Sequence, residues 1–270
     1  MGLTDGEPHD FLRRKTFQDR ISWDTKTYGE SIHVDKTLVH RRYSTVYRYV
    51  PIVEADSIVR NKIWWFDKPT CWPDKYESYV ARELFGGNAP FGNMGVYAKC
   101  FTFHHSSEPI WQLSKDRVRL RFTLDKLIRS LASAKRTDRG PLPKLFIART
   151  RYMDPWAVRD TIDQLKLSRP KPVGRGAVPA LLMKRIGFNY ENEIRACFVF
   201  GEGSVGDAKH LEIEVDDNAI NQLMTNPYAG TLNGPPIKVE PNLTPDEIEA
   251  RFKDQKENFT IERSQFNSEI

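Results

Sequence analysis

Short β-branched and aromatic runs alternate irregularly with stretches of helical spacing along this chain, and no G-x-G-x-x-G or G-x-x-x-x-G-K-[ST] follows any of them. A doubly wound parallel sheet needs strict alternation of strand and helix, so the pattern argues instead for a mixed α+β architecture. Residues 45–50 (TVYRYV) read as a strand, 51–61 (PIVEADSIVRN) as a helix with proline in its first turn, and 62–66 (KIWWF) as a second strand. In 74–85 (DKYESYVARELF), Tyr76, Tyr79, Val80 and Leu84 share one helical face, and Asp74 stands where a cap belongs. A glycine-rich loop leads into the strand 96–103. In 118–124 (VRLRFTL), Val118, Leu120 and Phe122 alternate with Arg119 and Arg121, which puts the arginines towards solvent or a ligand. A helix (124–135), a strand (145–153), a helix (155–165) and a short helix (179–186) follow. Strands at 190–200 and 210–215, a helix near 217–224 and a last helix over 244–255, with Thr244 and Glu247 as a capping box, complete the reading.

The 270 residues suit one principal core, read as a single α+β domain over 45–270 with a peripheral N-terminal arm at 1–44. Cys71, Cys100 and Cys197 are too few and too scattered for a disulfide framework. No apolar run resembles a signal peptide or a membrane span, so a cytoplasmic protein without membrane contact is expected. Charge is segregated. Residues 115–185 carry 19 Lys+Arg against 6 Asp+Glu, whereas residues 186–270 carry 7 against 16. A positive field of that size draws polyanions, so nucleic acid is an expected partner; pairing with the acidic C-terminal third is the competing explanation. The basic loops at 135–144 and 167–176, punctuated by proline and glycine, read as mobile surface segments.

Three motifs carry polar groups where neutral ones would serve a strand better. Arg48 stands between Tyr47 and Tyr49; Phe66, Asp67, Trp72 and Tyr76 form an aromatic and acidic turn entering a helix; and Glu191 and Glu193 precede Arg195 at the mouth of an apolar strand. On a regular strand the two glutamates project to one face, ~7 Å apart, and their repulsion calls for a cation between them; Arg195 on the same face is one candidate. A solvated edge strand would carry the same pattern. His104 and His105 lack further ligands for a metal, and no G-x-S-x-G elbow supports serine hydrolysis.

Tyr47-Arg48-Tyr49, Phe66 to Glu77, Cys100-Phe101-Thr102, Trp111 and Tyr190-Glu191-Asn192-Glu193-Ile194-Arg195 together resemble a family of uncharacterised bacterial proteins with a Y-[KR]-Y … F-x-x-P … Y-E-x-E-x-R pattern. That pattern is in turn similar, remotely, to the ADP-ribosyltransferase superfamily. The resemblance implies largely antiparallel sheets with flanking helices, and NAD as substrate. It implies that Arg48, Tyr47 and Tyr49 bind NAD, with Phe66, Asp67, Trp72 and Tyr76 holding the nicotinamide. Glu193 would then face the oxocarbenium-like ribose and Glu191 the acceptor, although a single β-bulge would exchange those two roles. Such an enzyme would be a bacterial toxin or anti-phage effector modifying nucleic acid or a translation component, with an antitoxin or chaperone as a further partner. Two other readings stay open: a noncatalytic nucleic-acid binder whose groove is lined by Arg119, Arg121, Arg149 and Arg151, and a metal-dependent nuclease using Asp67, Asp74, Glu191 and Glu193. The first reading involves no metal.

Overall fold

A computed structural model of the chain describes residues 21–86, 88–105, 107–112, 117–167, 177–202, 208–215, 219–225, 250–253 and 260–262. In chain order the strands are β1 (Trp23–Asp24), β2 (Ile32–Asp35), β3 (Thr45–Pro51), β4 (Ile63–Asp67), β5 (Met94–Thr102), β6 (Arg117–Thr123) and β7 (Lys135–Arg136). They continue with β8 (Lys144–Arg149), β9 (Arg151–Met153), β10 (Met183–Arg185), β11 (Glu193–Glu202), β12 (His210–Glu214), β13 (Ile220–Thr225) and β14 (Thr260–Glu262). The helices are α1 (Lys36–Val39), α2 (Ile52–Arg60), α3 (Lys75–Phe85), α4 (Glu108–Gln112), α5 (Leu124–Ala132), α6 (Pro155–Leu167) and α7 (Ala177–Leu181). Short 3-10 turns occupy Pro69–Cys71 and Ile186–Glu191.

The main sheet runs β1-β2-β8-β11-β5-β3-β6-β13-β14, with β4, β12 and β7 branching from it, and β9 and β10 form a separate parallel pair. Pairing is antiparallel except at β2–β8 and β13–β14. The chain is thus a mixed α+β protein built on a largely antiparallel open sheet. Alternation along the long central strands divides the core in two. Ile194, Ala196 and Phe198 of β11 face one way, under α2 and α5, with Trp64, Phe101 and Phe122. Cys197 and Val199 face the other way, under α3, α6 and α7, with Val96, Ala98, Phe146 and Ala148.

The strands and helices read at 45–66, 74–85, 96–103 and 118–135 are present, but four details differ. Residues 21–44 do not form a peripheral arm: β2 pairs with β8, and Ile32, Val34 and Leu38 are core residues, because their spaced apolar side chains find a sheet edge to cover. The 145–153 run breaks at Thr150 into β8 and β9. The 179–186 segment is helix only to Leu181 and then strand. Residues 220–225 are β13 rather than helix, because the open edge of β6 supplies a ladder that outweighs a local spacing ambiguous over so few residues. The capping box at Thr244 and Glu247 and most of the loop at 167–176 lie outside the described residues. Among those described, no helix is long and apolar enough to cross a membrane.

Trp64 is 1% exposed and packs against Phe101 and Phe122 at ring separations of 6.1 and 5.6 Å. Trp64→Ala is expected to cost about 3–5 kcal/mol by opening a cavity at the centre of this core, read as a lowered urea midpoint.

Candidate active site

Asp74 caps α3 by accepting from the Tyr76 and Glu77 amides at 2.8 and 2.9 Å, which sets the phase of the helix. In that phase Glu77 joins Val80, Ala81 and Leu84 on the buried face, while Tyr79 is 46% exposed; the face read from spacing was displaced by about one residue. On the sheet beneath, β11 projects Glu193 and Arg195 towards α3, and β10 adds Lys184 beside them. The Lys184 ammonium meets Glu77, Glu191 and Glu193 at 2.9, 2.6 and 3.0 Å. Arg195 donates through Nε to Glu193 at 2.5 Å, through Nη2 to Glu77 at 2.6 Å and through Nη1 to the Leu181 carbonyl at 2.6 Å.

Glu191 and Glu193 therefore converge, but not as two residues of one strand. Glu191 ends a 3-10 turn, Asn192 adopts a left-handed φ of 42°, and β11 begins at Glu193. The kink turns both carboxylates onto one ammonium and leaves them in different surroundings. Glu193 is 3% exposed; burial would push its carboxyl up, but Arg195 and Lys184 outweigh that and hold it down at about 2. Glu191 retains 22% side-chain exposure. Its carboxyl is displaced upward, by burial and by the neighbouring charges of Glu193 and Glu77, against the pull of Lys184. Burial pushes the Cys100 thiol on β5, next to Glu193, well above its ordinary range, so it is not a ready nucleophile.

An aromatic rim surrounds these charges. The Arg195 guanidinium lies 4.5 Å from the Trp72 ring centroid, and Lys184 lies 5.2 Å from that of Phe188. Arg185 sits between Tyr76 and Phe188 at 4.9 Å from each, and Tyr190, 43% exposed, stands against Phe188. The Tyr152 hydroxyl accepts the Glu193 amide at 2.8 Å, and burial first, then the two glutamates, raise its phenol to about 12.

The sequence-predicted residues divide between the two faces of the sheet. Tyr47 pairs with Thr102, which pairs with Glu193, so these three point to the same side, with Tyr47 and Glu193 two strand spacings (~10 Å) apart. Tyr49, buried against Trp111, is on that side too. Arg48 points the opposite way. Its guanidinium meets Glu54 at 2.9 Å and the Cys100 carbonyl at 2.6 Å, and Lys99 meets Glu54 at 2.6 Å and the Trp65 carbonyl at 2.5 Å. Arg48 and the glutamates thus do not share a hollow, because one residue along a strand reverses the face. Phe66 is fully buried in the core on Arg48's side, and Asp67 pairs with His210 at 2.8 Å. Of the predicted nicotinamide-holding turn, Trp72 lies against Arg195, which bonds Glu193, and Tyr76 lies against Arg185.

Arg119 is 1% exposed, stacked on Tyr47 at 4.8 Å and hydrogen-bonded to the His105 carbonyl and Gln222, so it does not face solvent. Arg121 shares its side of the sheet. Arg149 pairs with Ile194 on the opposite side and donates to Asn192 at 2.6 Å, while Arg151 belongs to the β9–β10 pair. The four arginines do not line one groove. Among the described residues no group of three or more His, Cys, Asp or Glu could hold a metal ion; Asp67 pairs with His210, and Asp74 caps α3 and meets Arg185.

Lys184 and Arg185 went unread from sequence, and Glu77 stood in the Phe66-to-Glu77 motif without a role, yet two left a signal: Glu77 interrupts an apolar helical stripe, and Lys184 follows the run Ala180-Leu181-Leu182-Met183. A lone charge at a core position demands a partner. No protein-family profile and no curated protein matches the chain.

Removing Lys184 as Lys184→Met leaves three carboxylates facing one guanidinium, which is expected to cost about 3–5 kcal/mol in chemical denaturation and to move the Glu191 carboxyl, followed by carbon-13 NMR, further upward. On the other face, burial would raise Glu54 but Arg48 and Lys99 outweigh it and hold it at about 2. The stability this gives is present above the unfolded value of 4.5 and is lost as pH falls towards 2, a change of about 3 kcal/mol. Glu54→Gln should flatten that acid limb in urea titrations between those pH values.

Proposed function

We propose that this chain is an NAD-dependent ADP-ribosyltransferase whose chemistry is divided between Glu191 and Glu193. The observation that carries the reading is the convergence of two carboxyls of unlike surroundings on a single ammonium: Glu193, buried and bonded by both Arg195 and Lys184, and Glu191, bonded by Lys184 and partly exposed. Glycosyl transfer asks for that division. The C1′–N bond of NAD breaks with its electron pair leaving on nicotinamide, the ribose passes through an oxocarbenium-like state, and an acceptor hydroxyl or amine closes the new bond at C1′. The acceptor's proton goes to Glu191.

Three carboxylates against two cations leave one excess negative charge in the cluster when Glu191 is ionised. Both the pyridinium of NAD and the developing ribosyl cation are positive, so that excess favours the substrate and, more strongly, the transition state. Glu193, with its oxygens taken by Arg195 and Lys184, acts through the field and through Lys184. Glu191 is the carboxylate exposed to an acceptor, the part the resemblance implies for it. Trp72 and Tyr76 are the rings placed to hold nicotinamide. Arg48, committed to Glu54, is left out of the binding set. The largely antiparallel sheet suits an ADP-ribosyltransferase-like fold. Lys126, Arg129, Lys135, Arg139, Lys144 and Arg159 are all exposed, which supports a nucleic-acid acceptor and, with it, a toxin or anti-phage role.

Purified protein given NAD labelled in its adenylate half and nucleic acid should transfer label and release nicotinamide. Glu191→Gln is expected to lower the rate at least ~100-fold while leaving the melting temperature within a few degrees. Because a base must be ionised, activity should fall with acid through the raised Glu191 value, on a limb lying above the ordinary carboxylate range. Absence of NAD turnover with any DNA, RNA or protein acceptor would overturn the reading.

A further inference from the structure

Arg185 is the cation at the rim whose donors the fold leaves open. Among the described residues its one hydrogen bond runs from Nη2 to Asp74 at 3.1 Å, and its side chain is 37% exposed. The Tyr76 and Phe188 rings each lie 4.9 Å from the guanidinium carbon, and among the described residues Nε and Nη1 carry no bond, so whichever of the Nε–Nη2 and Nη1–Nη2 edges Asp74 does not occupy is open to a ligand. Asp74 is itself bound by two backbone amides, which spread its charge and weaken its competition for that edge. Lys184 and Arg195, by contrast, are saturated by carboxylates and a carbonyl. Phe188 touches Arg185 and Lys184 alike, and Lys184 touches Glu191, so the open fork and the exposed carboxylate belong to one continuous patch. Tyr190 extends that patch with a half-exposed ring tilted 35° to Phe188.

We propose that Arg185 is the phosphate-binding residue of this site, gripping the pyrophosphate of a dinucleotide through its free edge while Phe188 and Tyr190 present a stacking face to the adjoining ring. The inference rests on the glycosyl-transfer reading only for the identity of the whole substrate. A planar fork matches the paired oxygens of a phosphate, and an aromatic step beside it suits a nucleotide rather than a bare anion. Arg185 thereby takes the part that the sequence had placed on Arg48.

Calorimetric titration of the full chain with two probes, ADP-ribose and inorganic pyrophosphate, tests this. Wild-type protein should bind both. Arg185→Gln should weaken each about tenfold or more, Arg185→Lys should recover part of the loss, and Tyr190→Ala should weaken ADP-ribose but not pyrophosphate. An ion pair this exposed adds little to stability, so the variants should melt with the wild type. Binding of pyrophosphate through Arg185 without binding of ADP-ribose would keep the phosphate site and sink the NAD reading. Equal binding by wild type and Arg185→Gln, or no binding of either probe to wild type, would overturn the proposal.

Discussion

Five charged side chains from four elements, three carboxylates and two cations, bond to one another on one face of the sheet: Glu77 from α3, Lys184 from β10, Glu191 from the 3-10 turn, and Glu193 and Arg195 from β11. None can be buried alone, since an isolated charge in an apolar interior costs several kcal/mol. Each is affordable only when the others have arrived. The cluster therefore specifies how α3 and the β9–β10 pair seat on the sheet, more sharply than the surrounding aliphatic contacts, which tolerate sliding. Arg195 shows the coupling: its guanidinium ties α3 through Glu77, α7 through the Leu181 carbonyl and β11 through Glu193.

How much of this was legible in the sequence follows from how far each signal reaches along the chain. The strand and helix at 45–60, the Asp74 cap and the alternation at 118–122 are local, and the structure has them where spacing put them. The face of a charged residue is local only while the strand is regular. Glu191 and Glu193 were read as neighbours on one strand; they do converge, through a left-handed Asn192 and a lysine seven positions upstream of Glu191 that no periodicity connects to them. The alternation at 118–122 puts its arginines towards solvent or a ligand, because arginine on a polar stripe usually belongs there. Arg119 is instead covered by Tyr47 and the His105 carbonyl, contacts set by pairing across β3 and β6. Arg48 failed for the simplest reason, the two-residue period of a strand: its neighbours Tyr47 and Tyr49 face the glutamates and it does not.

Burial also explains why Lys99 and Lys184, both lysines at core positions, differ in chemistry. Lys99 faces one carboxylate; burial and then the adjacent Arg48 push its amine down to about 8 despite Glu54. Lys184 faces three carboxylates, and although burial opposes its charge, Glu193 and Glu77 raise it above its ordinary value. The same residue type is thus a weakened cation on one face and a permanent one on the other, decided by the count of carboxylates in contact.

The two ion clusters differ in the sign of the charge left over. On the Arg48 face two cations share one carboxylate, and the surplus positive charge is absorbed by the Cys100 and Trp65 carbonyls, so every strong group is answered from within the fold. On the Glu193 face the surplus is negative. Backbone amides are the groups that could answer it, and those nearby are spent elsewhere: the Glu193 amide on Tyr152, and the Tyr76 and Glu77 amides on Asp74. The unanswered charge settles on Glu191, the carboxylate closest to solvent, where it is met by a proton or by a cation brought from outside. The first cluster is closed by carbonyls and the second is left with one carboxylate more than its cations match, at an aromatic rim; the proposed reading rests on that difference.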